Sequence, residues 1–226
     1  ICKGAGMIEP NMATMLSFIE TNVDLSKPKL NKYLKNCASL SFNSISVDGD
    51  MSTNDTVAFS STGSIKLNMK DKSIEAKFIS SASDFFIRLS SLIVKDGEGA
   101  TKFIKLNVIN AKSLLLAQEV SKKLSSSILV KTAMFGKDPN WGRIIARVGS
   151  IESSNIKPLK IKLMINNIVC FKNGISQDNG SKRLERSMRK NTIEITVDLN
   201  YGNHKQSMYF CDLSYDYVRI NSEYIT

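Results

Sequence analysis

Leu30, Tyr33, Leu34 and Cys37 recur at i, i+3, i+4 and i+7 behind Pro28, the spacing that lines one face of an amphipathic helix. Strand-like residues from Phe42 to Val47 follow, and Asp48-Gly49-Asp50 reads as a turn. Phe86, Leu89 and Ile93 predict a second helix from Asp84 to Ile93, capped by Ser83 and ended by Asp96-Gly97-Glu98-Gly99. Ile104, Leu106 and Val108 then alternate with Lys105 and Asn107, the period of a half-buried strand. Leu116, Val120 and Leu124 align on a helix from Ser113 to Leu124, which stops at the polar run Ser125-Ser126-Ser127. Asp138 and Pro139 offer a cap and a first-turn proline to another helix, with Trp141, Ile144, Ile145 and Val148 on one face before Gly149. Two alternating strands close the pattern, Leu159, Ile161, Leu163 and Ile165 on one and Ile193, Ile195, Val197 and Leu199 on the other. The reading is an α+β chain with antiparallel pairing and a boundary near residue 112, dividing it into 1–112 and 113–226.

Composition narrows the class of protein. A chain of 226 residues can bury a real core as one large or two modest domains. Apolar runs such as Leu114-Leu115-Leu116-Ala117 fall far short of the ~20 residues of a membrane span, and no signal-peptide pattern opens the chain. The expectation is a soluble, cytoplasmic protein without a membrane partner. The net charge of +10 invites a nucleic-acid reading. In its densest stretch, however, Lys182, Arg183, Arg186, Arg189 and Lys190 surround an apolar Leu184–Met188 stripe, as on a solvated helix face. No aromatic residues interleave to stack bases, so no nucleic-acid partner is expected.

Cys2, Cys37, Cys170 and Cys211 are widely spaced and lack the pairing of a zinc or redox site, so they read as free thiols. Asp48, Asp50 and Asp55 lack the regular ligand spacing of a calcium loop and read as a structural turn. The segment Gly136 to Arg143 has no Gly-Lys-Ser/Thr ending and reads as a helix entry packed by Trp141. No metal is expected.

The stretch richest in chemistry is Asn11-Met12-Ala13-Thr14-Met15-Leu16. A small residue before a threonine lets the Thr14 hydroxyl attack the Ala13 carbonyl with little steric obstruction. Cleavage there makes Thr14 an N-terminus, whose α-amine, with an ordinary pKa of about 7.7–8.0, can serve as base to its own hydroxyl. No histidine is required, and the only one present, His204, follows Gly202 and Asn203 in a turn-like stretch.

The run Lys3 to Leu16 resembles the self-processing threonine segment of the ornithine acetyltransferase (glutamate N-acetyltransferase) family of arginine biosynthesis. Four further segments resemble the same family in the same order: Ser46 to Thr56, Asp96 to Lys102, Lys131 to Arg143, and Tyr217 to Thr226. The resemblance implies an αββα sandwich followed by a smaller α/β domain, self-cleavage between Ala13 and Thr14, and Thr14 as catalytic nucleophile. It implies acetyl transfer from N2-acetylornithine to glutamate without a cofactor, acetyl-CoA being an additional donor in some members. Its substrate-binding residues correspond to Lys3, Thr14, Glu98, Asn221 and Thr226. Lys3 would otherwise read as one more surface lysine, and Glu98 as a solvated carboxylate between Gly97 and Gly99.

The family also carries a long segment upstream of the threonine, which supplies part of the sandwich and the oxyanion-hole threonine and glycine. Those residues are not in this sequence, so the chain alone is expected to be incomplete as a catalyst. The implied partner is that N-terminal chain, in a heterotetramer of two cleaved pairs. Tyr215, Tyr217, Val218, Ile220 and Tyr224 are expected to dock the C-terminal tail, pinning Asn221 and Thr226 so that both chain ends meet at Thr14. Two alternatives stand beside this reading. One is a self-processing N-terminal-threonine aminopeptidase or amidase, which would pass its acyl group to water. The other is an inactive fragment or basic binding domain.

Overall fold

Two connections long enough to carry helices join the parallel strand pairs of the chain. A computed structural model describes residues 1–9, 15–54, 56–151, 156–177 and 182–223, and the chain divides into two units, Ile1–Gly97 and Glu98–Thr226. The first unit runs β1 (Cys2–Lys3), β2 (Leu16–Val23), α1 (Lys27–Leu40), β3 (Ile45–Ser46), β4 (Thr56–Ile65) and α2 (Lys72–Lys95). The second runs β5 (Phe103–Ala111), α3 (Leu114–Ser125), α4 (Ile128–Phe135), α5 (Trp141–Gly149), β6 (Lys162–Ile165), β7 (Ile168–Lys172), β8 (Ile175–Ser176), α6 (Lys182–Ser187), β9 (Thr192–Asp198), β10 (His204–Cys211) and α7 (Tyr215–Glu223). The fold class is α+β.

In the first unit β2 lies between β1, its antiparallel neighbour, and β4, which runs parallel to it. Ser17, Ile19 and Val23 of β2 are buried while Leu16, Phe18 and Glu20 are exposed, the period of two that presents one face to a core. That core is filled from α1 and α2. Tyr33 tilts against Phe78 at 5.7 Å, and Phe86 stands edge-on to Phe42 and to Phe59. The Tyr33 hydroxyl donates to Glu75 Oε1 at 2.5 Å. Burial first, and that bond second, push its pKa up to about 12, so it stays a donor.

The helix predicted from Asp84 is twice as long as expected. It begins at Lys72, where Asp71 caps it by accepting from the Ser73 amide at 2.8 Å, and Ser83 is a buried residue inside it. Ile74, Phe78 and Ile79 of its first half pack on the Val23, Leu25, Tyr33 and Met69 cluster, and this tertiary contact carries a serine-rich stretch of modest helix propensity. The predicted strand from Phe42 to Val47 is a 3-10 turn over Phe42–Ser44 followed by the two-residue β3. Nearly every side chain there is buried, so there is no alternation to sustain a ladder.

In the second unit the strands lie in the order β10-β5-β9-β6-β7-β8. Ile104, Leu106 and Val108 of β5 and Ile193, Ile195 and Val197 of β9 have at most 1% exposure, against a layer from α3, α4 and α5 that includes Leu116, Val120, Leu124 and Ile144. Most strand pairs are antiparallel as expected, but β5 and β9 run parallel, as do β2 and β4, which the expectation of antiparallel pairing did not include. The cause is topological, since each parallel pair is joined by a long connection that includes helices. β5 is central to this sheet, so the boundary falls at Gly97 instead of near residue 112.

Asn140, not Asp138, precedes α5, because Lys137 turns left-handed at φ 57° and the Asp138 amide donates back to the Ala133 carbonyl, closing α4. Leu159 belongs to a 3-10 turn and is exposed, so β6 begins only at Lys162. In α6 and the turn after it the Leu184 and Met188 side chains are buried while Lys182, Arg183, Arg186, Arg189 and Lys190 are exposed. No described helix is long and apolar enough to cross a membrane.

Candidate active site

Lys3 is exposed on β1, paired in register with Leu16 of β2. It borders a cleft of about 650 Å³ lined also by Cys2, Gly4, Leu89, Leu92 and Asp96. Gly4 is closely enclosed, because a Cβ there would lie 2.9 Å from Ile8 Cδ1 and 3.2 Å from Met15 Cβ, so those side chains would have to shift. Cys2 shares the cleft, with its Sγ 3.7 Å from the Leu89 carbonyl. Burial above all raises the thiol's pKa, and the Asp96 charge acts in the same direction. A thiol held protonated is a poor nucleophile. None of the four cysteines forms a disulfide, and Cys37, Cys170 and Cys211 are buried.

Ala13 and Thr14 lie outside the described residues, but both flanks of their segment are described and firmly tied. Asp48 accepts from the Met7 amide at 2.6 Å, from the Ile8 amide at 2.8 Å and from the Asp50 amide at 3.2 Å. The Glu9 amide donates to the Asp50 carbonyl and the Val47 amide to the Ile8 carbonyl. On the far side the Thr56 amide donates to the Met15 carbonyl, and the Met15 side chain is buried. The Asp48-Gly49-Asp50 stretch is thus the structural turn expected of it, and it clamps the residues leading into Ala13-Thr14. If the full-length protein cleaves itself at Ala13-Thr14, as the resemblance implies, Asp48→Ala should slow that cleavage by about tenfold or more, because each lost charged acceptor is worth roughly 1.5–3 kcal/mol. The time course of chain separation on denaturing gels measures this, and a wild-type rate would show that the clamp is irrelevant to cleavage.

Glu98 and Asn221 meet. Asn221 Nδ2 donates to Glu98 Oε2 at 2.9 Å and to the Tyr217 carbonyl at 3.0 Å, which fixes the amide across the first turns of α7. A neutral amide orients the carboxylate without cancelling its charge, leaving a group suited to an ammonium. Lys3 belongs to the first unit, Glu98 and Asn221 to the second. Thr226 and Tyr224 lie outside the described residues.

Among the described residues, α7 does not show the docking expected of the tail. α7 has no buried residue, with Tyr215 83% and Val218 59% exposed. Residues 215, 217, 218 and 220 are spread around a helix that turns 100° per residue, so they share no single apolar face. Tyr215 makes an edge contact with Phe135 at 5.4 Å. Sequence reasoning also passed over Asp212 and Ser214, two buried polar residues just before α7. The signal for Ser214 was its place before a helix, since its hydroxyl accepts from the Tyr217 amide three residues on at 3.3 Å. Among the described residues no cluster of His, Cys, Asp and Glu could hold a metal ion, and His204 is exposed at the start of β10.

Comparison with known proteins bears on this arrangement. The sequence model of the ArgJ family matches residues 1–226. The chain is 44% identical, over 236 aligned residues, to the glutamate N-acetyltransferase of Methanocaldococcus jannaschii, covering 100% of this chain and 58% of that protein. It is 40% identical to the arginine biosynthesis bifunctional protein ArgJ of Geobacter sulfurreducens, with 100% of this chain and 58% of the relative covered. The crystal structure of the arginine biosynthesis bifunctional protein ArgJ from Bacillus halodurans matches with a TM-score of 0.87 at 35% identity, covering 93% of this chain and 100% of that one. The chain therefore spans 58% of the length of these two curated relatives.

Proposed function

This chain belongs to the ArgJ family, and from that premise we propose that its parent protein transfers an acetyl group from N2-acetylornithine to glutamate through an acetyl-Thr14 intermediate. The observation that supports this most is the match to the family model across all of residues 1–226, which includes the Ala13-Thr14 junction. In this reading the freed α-amine of Thr14 takes the hydroxyl proton as Oγ attacks the acetyl carbonyl, and ornithine leaves with a proton on its α-nitrogen. The neutral α-amine of glutamate then attacks the threonine ester, forming N-acetylglutamate, and Oγ recovers its proton. Acyl transfer by an amine base draws on no metal, and none enters the proposed steps.

Lys3 is assigned to a substrate carboxylate and Glu98 to a substrate ammonium, with Asn221 and Thr226 completing the binding groups. The Glu98–Asn221 hydrogen bond supports placing the second pair in one subsite. The upstream chain is proposed as the partner that supplies the oxyanion donors, in an assembly of two cleaved pairs.

The test is an acetyl-transfer assay on the full-length, processed protein with labelled N2-acetylornithine. Label should appear in N-acetylglutamate when glutamate is present, and Asn221→Ala should weaken transfer while leaving self-cleavage intact. Release of label as free acetate, unaffected by glutamate, would favour the amidase reading instead. Acetyl-CoA tried as donor in the same assay decides whether the protein has a second activity.

A further inference from the structure

Glu98 and Asn221 are 123 positions apart, and one short segment between β10 and α7 ties together the elements that carry them. Asp212 is 2% exposed, and its Oδ1 accepts from both the Thr101 and Lys102 amides at 2.8 Å while Oδ2 accepts from the Thr101 hydroxyl at 2.5 Å. Two residues on, Ser214 is 4% exposed. Its hydroxyl donates to the Gly99 carbonyl at 2.6 Å and accepts from the Tyr217 amide at 3.3 Å. One buried hydroxyl thus joins the residue after Glu98 to the first turn of α7, and the next turn of that helix presents Asn221.

The approach is close enough to make this joint stiff. Gly99 has φ +65°, and a Cβ on it would overlap the Tyr217 backbone nitrogen and lie 2.7 Å from Ser214 Oγ. The Glu98 loop and the start of α7 therefore touch backbone to backbone, with Ser214 as the pin. A helix cap needs only the bond to Tyr217; the second bond, to Gly99, has no role in capping.

We propose that Ser214, held in place by Asp212, is a positioning residue for substrate recognition: it sets Glu98 against Asn221 so that the carboxylate is aimed at a substrate ammonium. This rests on the reading of Glu98 given above. In N2-acetylornithine the α-nitrogen carries the acetyl group, so the ammonium Glu98 can meet is the one at the end of the side chain.

The experiment uses the full-length processed enzyme and two donors, N2-acetylornithine and N2-acetylnorvaline, which differ in that terminal amine. Ser214→Ala should lower kcat/KM for acetylornithine by about tenfold, the effect of losing one well-placed charged contact. The value for acetylnorvaline should hardly move and self-cleavage should stay near wild type, while Tm falls by a few degrees with the lost cap. Gly99→Ala, which wedges the loop from α7, should compress the donor ratio in the same way, whereas Asp212→Asn, which retains an acceptor for both amides, should preserve it. An equal fall for both donors in step with Tm would make Ser214 an ordinary structural residue and overturn the proposal. Glu98→Gln separates the two layers. If it collapses the donor ratio and Ser214→Ala does not, the positioning role alone fails; if it leaves the ratio unchanged, the assignment of Glu98 fails and takes this proposal with it. Absence of transfer from either donor in the parent enzyme would instead sink the proposed function.

Discussion

Thr14→Ala in the full-length protein is expected to abolish self-cleavage, leaving one uncut chain on a denaturing gel where the wild type yields two. N-terminal sequencing of the wild-type product should read Thr14-Met15-Leu16. The size of the effect follows from the chemistry. A hydroxyl tethered beside the Ala13 carbonyl gains roughly 7–11 kcal/mol from proximity and orientation, and alanine leaves nothing there to attack. Thr14→Ser should retain partial cleavage, because the hydroxyl survives while the methyl that restricts its rotamer does not. Two chains cut at the same bond in Thr14→Ala would show that another group is the nucleophile.

Glu98→Ala should lower kcat/KM for N2-acetylornithine by about 10- to 100-fold, since a charge-assisted hydrogen bond to substrate is worth roughly 1.5–3 kcal/mol. Lys3→Ala should act in the same direction through the substrate carboxylate. Neither change should shift Tm much. Lys3 is exposed, and the Glu98 contact with Asn221 lies at the surface of this chain, where such pairs contribute little to stability. Steady-state kinetics and thermal melts on the same preparations check both halves of the expectation. Wild-type kinetics in both variants would remove these residues from the site, and a large loss of Tm would assign them to folding.

The elements read correctly from sequence share a property, that their apolar period is dictated by local geometry. Ile104, Leu106 and Val108 alternate because β5 is a strand, and Leu30, Tyr33, Leu34 and Cys37 recur because α1 is a helix. Where burial was continuous, or where tertiary contact overrode propensity, the reading went astray. Phe42 to Val47 looked like a strand because its side chains are buried, and the first half of α2 was missed because serines carry so little periodic signal. Strand direction was out of reach for a different reason. The parallel pairing of β5 with β9 depends on how a long connection returns, which no window of neighbouring residues encodes.

The site divides along the same line. By itself the sequence determined the chemistry available: a small-residue-Thr junction at Ala13-Thr14, a carboxylate between glycines at Glu98, and, through five ordered segments, the family they resemble. It could not show that Asn221 meets Glu98, nor that Asp48 clamps the approach to Thr14, nor that Asp212 and Ser214 are buried against the Glu98 loop. Those contacts span some 40 to more than 120 positions. A hydrogen bond depends on distance and angle within a few tenths of an ångström, and only the folded chain brings such remote donors and acceptors into range.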